Sequence, residues 1–135
     1  MEKVLEVGVT HKVEKIVTEK TSAKQVGSGS VEVFATPAMI ALMEEAAAQC
    51  VQPYLAEGNA TVGTKVDISH SAATPIGMKV YAQAELLEID RKRLVFKIEA
   101  FDEQGKIGEG AHERFIIDVE RFMEKVNQKS LNQKG

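Results

Sequence analysis

Residues 33–53, VFATPAMIALMEEAAAQCVQP, decide the architecture, because they read as one apolar helix in a chain that otherwise alternates. Thr36 followed by Pro37 is a helix-start signature: the hydroxyl accepts from an orphan amide, and proline's fixed φ and missing N–H are harmless in the first turn. The helix is expected to run to about Gln52, where Pro53 and then Gly58-Asn59 stop it. Projected at 3.6 residues per turn, the two adjacent glutamates separate. Glu45 shares a polar stripe with Gln49 and Gln52, whereas Glu44 falls beside Ile40, Ala41, Ala48, Val51 and Leu55. An unpaired carboxylate on an apolar flank costs several kcal/mol, against a total stability of about 5–15 kcal/mol. Glu44 therefore needs a partner, a water-filled pocket or a subunit interface; a structural hydrogen bond or a rim position satisfies the same requirement without catalysis.

Downstream of this helix the period changes to two. Val62, Thr64, Val66, Ile68 and His70 share one phase of a first long strand, with Lys65, Asp67 and Ser69 in the other. After a turn at Thr74-Pro75-Ile76-Gly77, a second strand spans Lys79 to Asp90 with Val80, Ala82, Ala84 and Leu86 in phase. The basic turn Asp90-Arg91-Lys92-Arg93 leads to Leu94, Phe96, Ile98 and Ala100, and Gly105 marks a further hairpin. A last strand is expected over about Lys106 to Arg121, with a polar tail fraying over about 128–135. Upstream, Val31 to Phe34 reads as a short strand, and the Gly/Ser-rich run from Val26 to Ser30 as a flexible loop. Val13, Ile16 and Val17, mixed with lysines and glutamates, show no clear period. A short strand, one helix and a meander of long antiparallel strands make an α+β domain over 1–135, a curved antiparallel sheet wrapped around one long central helix. This is the hotdog arrangement.

The 135 residues, 44% hydrophobic, fit one domain with a real core. With 17 basic against 20 acidic residues and a net charge of -3, no global field draws nucleic acid or anionic lipid. No apolar run is long enough to span a membrane. A single cysteine, Cys50, and no apolar signal segment point to the cytoplasm.

His70, in the inward phase of its strand, faces the helix side. A lone histidine there is more often a satisfied core residue than a catalyst, but two inward polar groups on facing elements, His70 and Glu44, suggest a site. Of the three, Thr36 has the strongest bland reading, because capping alone explains the residue; its functional reading is that the hydroxyl at the positive end of a helix orients a carbonyl or a water. Cys50 projects among Met39, Met43 and Ala46 as a buried thiol, a Cys/His nucleophilic pair being the lesser alternative. His11, His70 and His112 are too dispersed for a metal cluster, so neither metal nor cofactor is expected. Arg114 lies in the phase opposite Phe115, Ile117 and Val119, which puts it on a solvated face, as the basic turn is.

Three blocks together resemble a specific family, the hotdog thioesterases typified by fluoroacetyl-CoA thioesterase: VFATPAMIALMEEAAA from Val33, GTKVDISHSAATPIG from Gly63, and IGEGAHERFIID from Ile107. The likeness covers roughly Val31 to Ser130. It implies hydrolysis of a short-chain acyl-coenzyme A thioester, with Thr36, Glu44 and His70 at the catalytic positions. It places Gly63 and Phe34 near the bound thioester and Arg114 beside the site. It also implies a homodimer with active sites between subunits, CoA being part of the substrate rather than a cofactor. The chain departs from the fluoroacetyl-specific type in its Gly/Ser-rich segment, where that type has a bulkier apolar lid, and in Glu45, where that type is aromatic. The rival readings are a hotdog hydratase or dehydratase acting on acyl-CoA and a non-catalytic acyl-CoA binding module. Thr36 and Glu44, eight residues apart on one helix, are displaced by about 12 Å along its axis and roughly 80° around it. The expectation is therefore that Thr36 of one subunit meets Glu44 or His70 of the other.

Overall fold

The computed structural model describes residues 4–131. Five strands form one antiparallel sheet in the order β1-β3-β4-β5-β2: β1 Thr10–Ile16, β2 Asn59–His70, β3 Lys79–Asp90, β4 Arg93–Asp102 and β5 Gly105–Asp118. The apolar helix α2, Thr36–Val51, crosses its concave face and packs on β3, β1 and β4. The α1 helix, Ala23–Val26, precedes it, and α3, Val119–Leu131, follows the sheet.

Periodicity explains the centre of this arrangement. Val80, Ala82, Ala84 and Leu86 of β3 and Leu94, Phe96, Ile98 and Ala100 of β4 are all fully buried, against Met39, Leu42, Met43, Ala46 and Cys50 of α2. Cys50 donates weakly to the Val9 carbonyl, and burial pushes its thiol up to about 11, which makes it an inert packing group. The β3–β4 turn places Arg91 at φ 60, in the left-handed region that two-residue hairpin loops use.

Several elements differ from the sequence reading. Residues 10–16 form an edge strand, β1, hydrogen-bonded to β3 on one side only, so its solvent face carries lysines and glutamates that blur the alternation. Val31 to Phe34 is not a strand: only isolated bridges Ser22–Phe34 and Val33–Pro75 form. Val26 closes helix α1 instead of opening the loop, with Gly27 as its left-handed C-cap. At the other end β5 stops at Asp118, whose carboxylate accepts from the Arg121 amide and starts α3. Val119, Phe122, Met123 and Val126 were therefore spaced for a helix, and residues 128–131 are its last turn. Residues 132–135 of the expected tail lie outside the described residues.

The phase of β2 also breaks. A bulge between Gly63 and Lys65 shifts the register against β5. Before it, Thr61 pairs with Ile116 and Gly63 with Arg114 on the helix side; after it, Val66, Ile68 and His70 hold that side. Val62 and Thr64 thus leave the inward set. Among the described residues no helix is long and apolar enough to cross a membrane.

Candidate active site

Thr36 is the first residue of α2, with Ala35 at the N-cap position and no side-chain cap. Its hydroxyl is consequently released from the capping role and lies 2.7 Å from Nδ1 of His70. The approach to it is built by backbone bonds: Ala35 N donates to Thr21 O and Phe34 N to Thr74 O, each at 2.8 Å. Buried Thr74 donates to Asp102 at 2.8 Å, and Ser71 N donates to Ile107 O at 2.7 Å, which pins the segment after His70 to the sheet. His70 Nε2 is buried and, among the described residues, meets no partner in hydrogen-bonding geometry. Burial holds the imidazole below its ordinary value, opposed by the Ala72 backbone. Thr36, Phe34 and His70 line one cavity of about 320 Å³ with Gly29, Val31 and Ala72. Phe34 also lines a second, mainly apolar cavity of about 360 Å³ with Ile16, Ala38 and Leu42.

Glu44 sits in a separate cluster two turns along α2. Arg114 Nη1 lies 3.5 Å from its Oε2. Arg114 is only 7% exposed, so the expected solvated face is wrong for it: Phe115, 42% exposed, occupies that face instead. The hydrophobicity of Phe115 misassigned the phase, since the inward neighbours of Arg114 are His112 and Ile116. The guanidinium donates to Thr61 Oγ1 at 2.7 Å and Thr61 O at 2.9 Å, and contacts His112 Nε2 at 3.2 Å. Burial lowers its pKa and Glu44 opposes that, so the carboxylate is the counterion this buried cation needs. Gly63 faces the same point: a Cβ there would stand 2.5 Å from Glu44 Oε2.

Glu45 instead contacts Lys15 at 3.7 Å and accepts from Gln49 at 3.2 Å, as its polar stripe requires. Exposure does not separate the two glutamates, whose side chains are 40% and 37% accessible; their partners do. The structure therefore joins Thr36 with His70, and Glu44 with Gly63 and Arg114, within one chain. Thr36 meets its own chain's His70, which corrects the expected pairing of Thr36 with the partner's histidine. His112, also buried, shares the phase of Arg114 and is hidden by the same misassignment; two polar residues in one phase, His112 and Arg114, are the only signal the sequence offers for it. Among the described residues no cluster of three His, Cys, Asp or Glu has metal-binding geometry.

The sequence model of the FlK family, fluoroacetyl-CoA-specific thioesterase, matches residues 17–120. The fluoroacetyl-CoA thioesterase of Streptantibioticus cattleyicolor is 43% identical over 99 residues, covering 73% of this chain and 71% of that protein. A solved structure of the fluoroacetyl-CoA thioesterase FlK superposes with a TM-score of 0.89 at 34% identity, over 94% of this chain and 98% of the other. A Thr-to-Ser variant of that enzyme in complex with acetyl-CoA gives 0.88 at 35%, over 93% and 98%. With the family's sequence pattern and backbone both matched over most of the chain, this protein belongs to the fluoroacetyl-CoA-specific thioesterase family of the hotdog fold.

Proposed function

We propose that the protein hydrolyses a short-chain acyl-CoA thioester to the free acid and CoA, in a homodimer whose two active sites each draw on both chains. The observation that carries this reading is the division of the polar groups into two half-sites on one chain. The Thr36–His70 pair borders a cavity and leaves Nε2 unpartnered, while the Arg114-held carboxylate of Glu44 stands apart. Gly63 and His70, which mark the two halves, are about 20 Å apart along β2 at strand rise. A second copy can close that gap. β2 is an edge strand, its helix-side Val66 is 40% exposed, and the flank of α2 around Ile40, Ala41 and Glu44 is incompletely covered. A two-fold axis crossing β2 midway between Gly63 and His70 sets one chain's Glu44 cluster beside the partner's Thr36–His70 pair and pairs the open edge.

In that site Thr36 donates to His70 Nδ1, leaving an Nε2–H to bond the thioester oxygen as negative charge develops there. Glu44, held 3.5 Å from the Arg114 guanidinium, takes a proton from water; the hydroxide adds to the carbonyl carbon, the C–S bond breaks, and the departing thiolate receives the proton held at Glu44. The acetyl-CoA complex of the related enzyme supports a small acyl group. Thiol release measured over acetyl, halogenated acetyl, propionyl, butyryl, branched and aromatic acyl-CoAs tests the reading. Turnover of the smallest members is expected. Alkene formation without thiol release, or binding without turnover across the panel, contradicts it.

A further inference from the structure

We infer that His112 is a positioning residue of this reaction, setting the Arg114 guanidinium against Glu44 through a single ring nitrogen. His112 is 2% exposed on β5, and both of its nitrogens are engaged: Nδ1 lies 2.8 Å from the Lys65 carbonyl and Nε2 lies 3.2 Å from Arg114 Nη1. A guanidinium only donates, so Nε2 must be the bare acceptor and Nδ1 must carry the hydrogen given to Lys65 O. Lys65 directly follows the β2 bulge, so the same irregularity that turns Gly63 toward Glu44 also presents the carbonyl that fixes this tautomer. Burial, the largest cause, and the Arg114 cation both favour the neutral ring, while Lys65 O, Glu44 and Glu113 pull the other way.

The consequence is geometric. Thr61 holds one edge of Arg114 through Nε and Nη2, which leaves Nη1 with two hydrogens. With His112 accepting one, the other is directed to Glu44 Oε2 at 3.5 Å. The convergence is tight: a Cβ on Gly63 would lie 3.3 Å from His112 Cε1 and 3.4 Å from Arg114 Nη1. Packing alone, against the Phe96 ring at 6.2 Å, would be served by any flat apolar group and does not require an acceptor at Nε2.

This inference rests on Glu44 acting as the base, and the experiment separates the two. His112→Gln carries an amide near the Nε2 position and His112→Asn near the Nδ1 position, so both are polar but only the first can accept from Arg114. His112→Asn is expected to lower kcat about tenfold, the scale of one hydrogen bond to a charged group, with KM changed less than threefold. His112→Gln is expected to stay within about threefold of wild type in both. In an Arg114→Gln background the Asn substitution should cost nothing further, because its route of action is already gone. Equal losses in the Gln and Asn variants, an unchanged Asn variant, or an additive loss in the Arg114→Gln background would each overturn the inference. The Glu44 reading fails on a different result, near-normal turnover by Glu44→Gln.

Discussion

The sharpest single perturbation is Gly63→Ala. A methyl group there would stand 2.5 Å from Glu44 Oε2, whereas ordinary contacts begin near 3.4 Å, so the carboxylate must retreat by about 0.9 Å. The one severe clash is with the end of a flexible side chain, the approaches to His112 Cε1 and Arg114 Nη1 at 3.3 and 3.4 Å lie at the edge of ordinary contact, and Gly63 does not adopt a positive φ, so no backbone strain follows. The fold should persist with a melting temperature within a few degrees of wild type. Catalysis should not, since a misplacement of about 1 Å costs on the order of a hundredfold in rate. Gly110→Ala supplies the contrast: its methyl would strike the Asp67 carbonyl and Ile68 backbone of β2, which cannot swing aside, so stability falls by about 1–3 kcal/mol. Thiol-release kinetics with thermal melts on both variants decide the matter. A Gly63→Ala enzyme with turnover within threefold of wild type, or one that loses activity only in step with folded protein, refutes the placement of Glu44.

Other outcomes follow from the same geometry. Glu44→Gln should abolish most hydrolysis while Glu45→Gln, which loses only exposed contacts to Lys15 and Gln49, should retain it; equal losses would show that the partners of the two side chains do not matter. His70→Ala should lower kcat about a hundredfold or more with the circular dichroism spectrum intact, since its bond to Thr36 joins no core group. The folded-state pKa values of His70 and His112 are both lowered, chiefly by burial. The unfolded chain therefore binds more protons than the native one between those lowered values and about 6.5. Stability is complete above that pH and declines as pH falls through it, and His112→Gln should flatten the decline seen in melts between about pH 7 and 5. A slope unchanged by that substitution would remove His112 from the account.

Much of this was legible in the sequence where one face of an element is buried and the other wet. β3 has its expected bounds, with the alternation held from Val80 to Leu86 until a register shift before Glu88, and α2 runs from Thr36 to within a residue of its expected end. Glu44 was singled out because a carboxylate on an apolar flank must be paired, and Arg114 is the partner. Legibility failed where a local backbone event resets the phase. The bulge after Gly63 moved Val62 and Thr64 out of the inward set, and no side chain at Thr64 announces it. The phase reading alone fails for Arg114 because an exposed Phe115 imitates a core residue, and the expected end of β5 overshoots because Val119 continues its alternation for one residue while Asp118 is already capping α3. For Thr36 the capping reading fails, because the chain places Ala35 at the cap and leaves the hydroxyl to His70.

The central claim, a site divided between two chains, is tested most directly by mixing a Thr36→Ala chain with a Glu44→Ala chain and following thiol release after subunit exchange, with exchange verified by mass spectrometry. Random pairing makes half of the dimers mixed, each with one intact and one doubly damaged site, so activity should rise from near zero in either homodimer to about a quarter of wild type. Full exchange with no recovery would show that Thr36 and Glu44 serve the same site from the same chain, and would contradict the account.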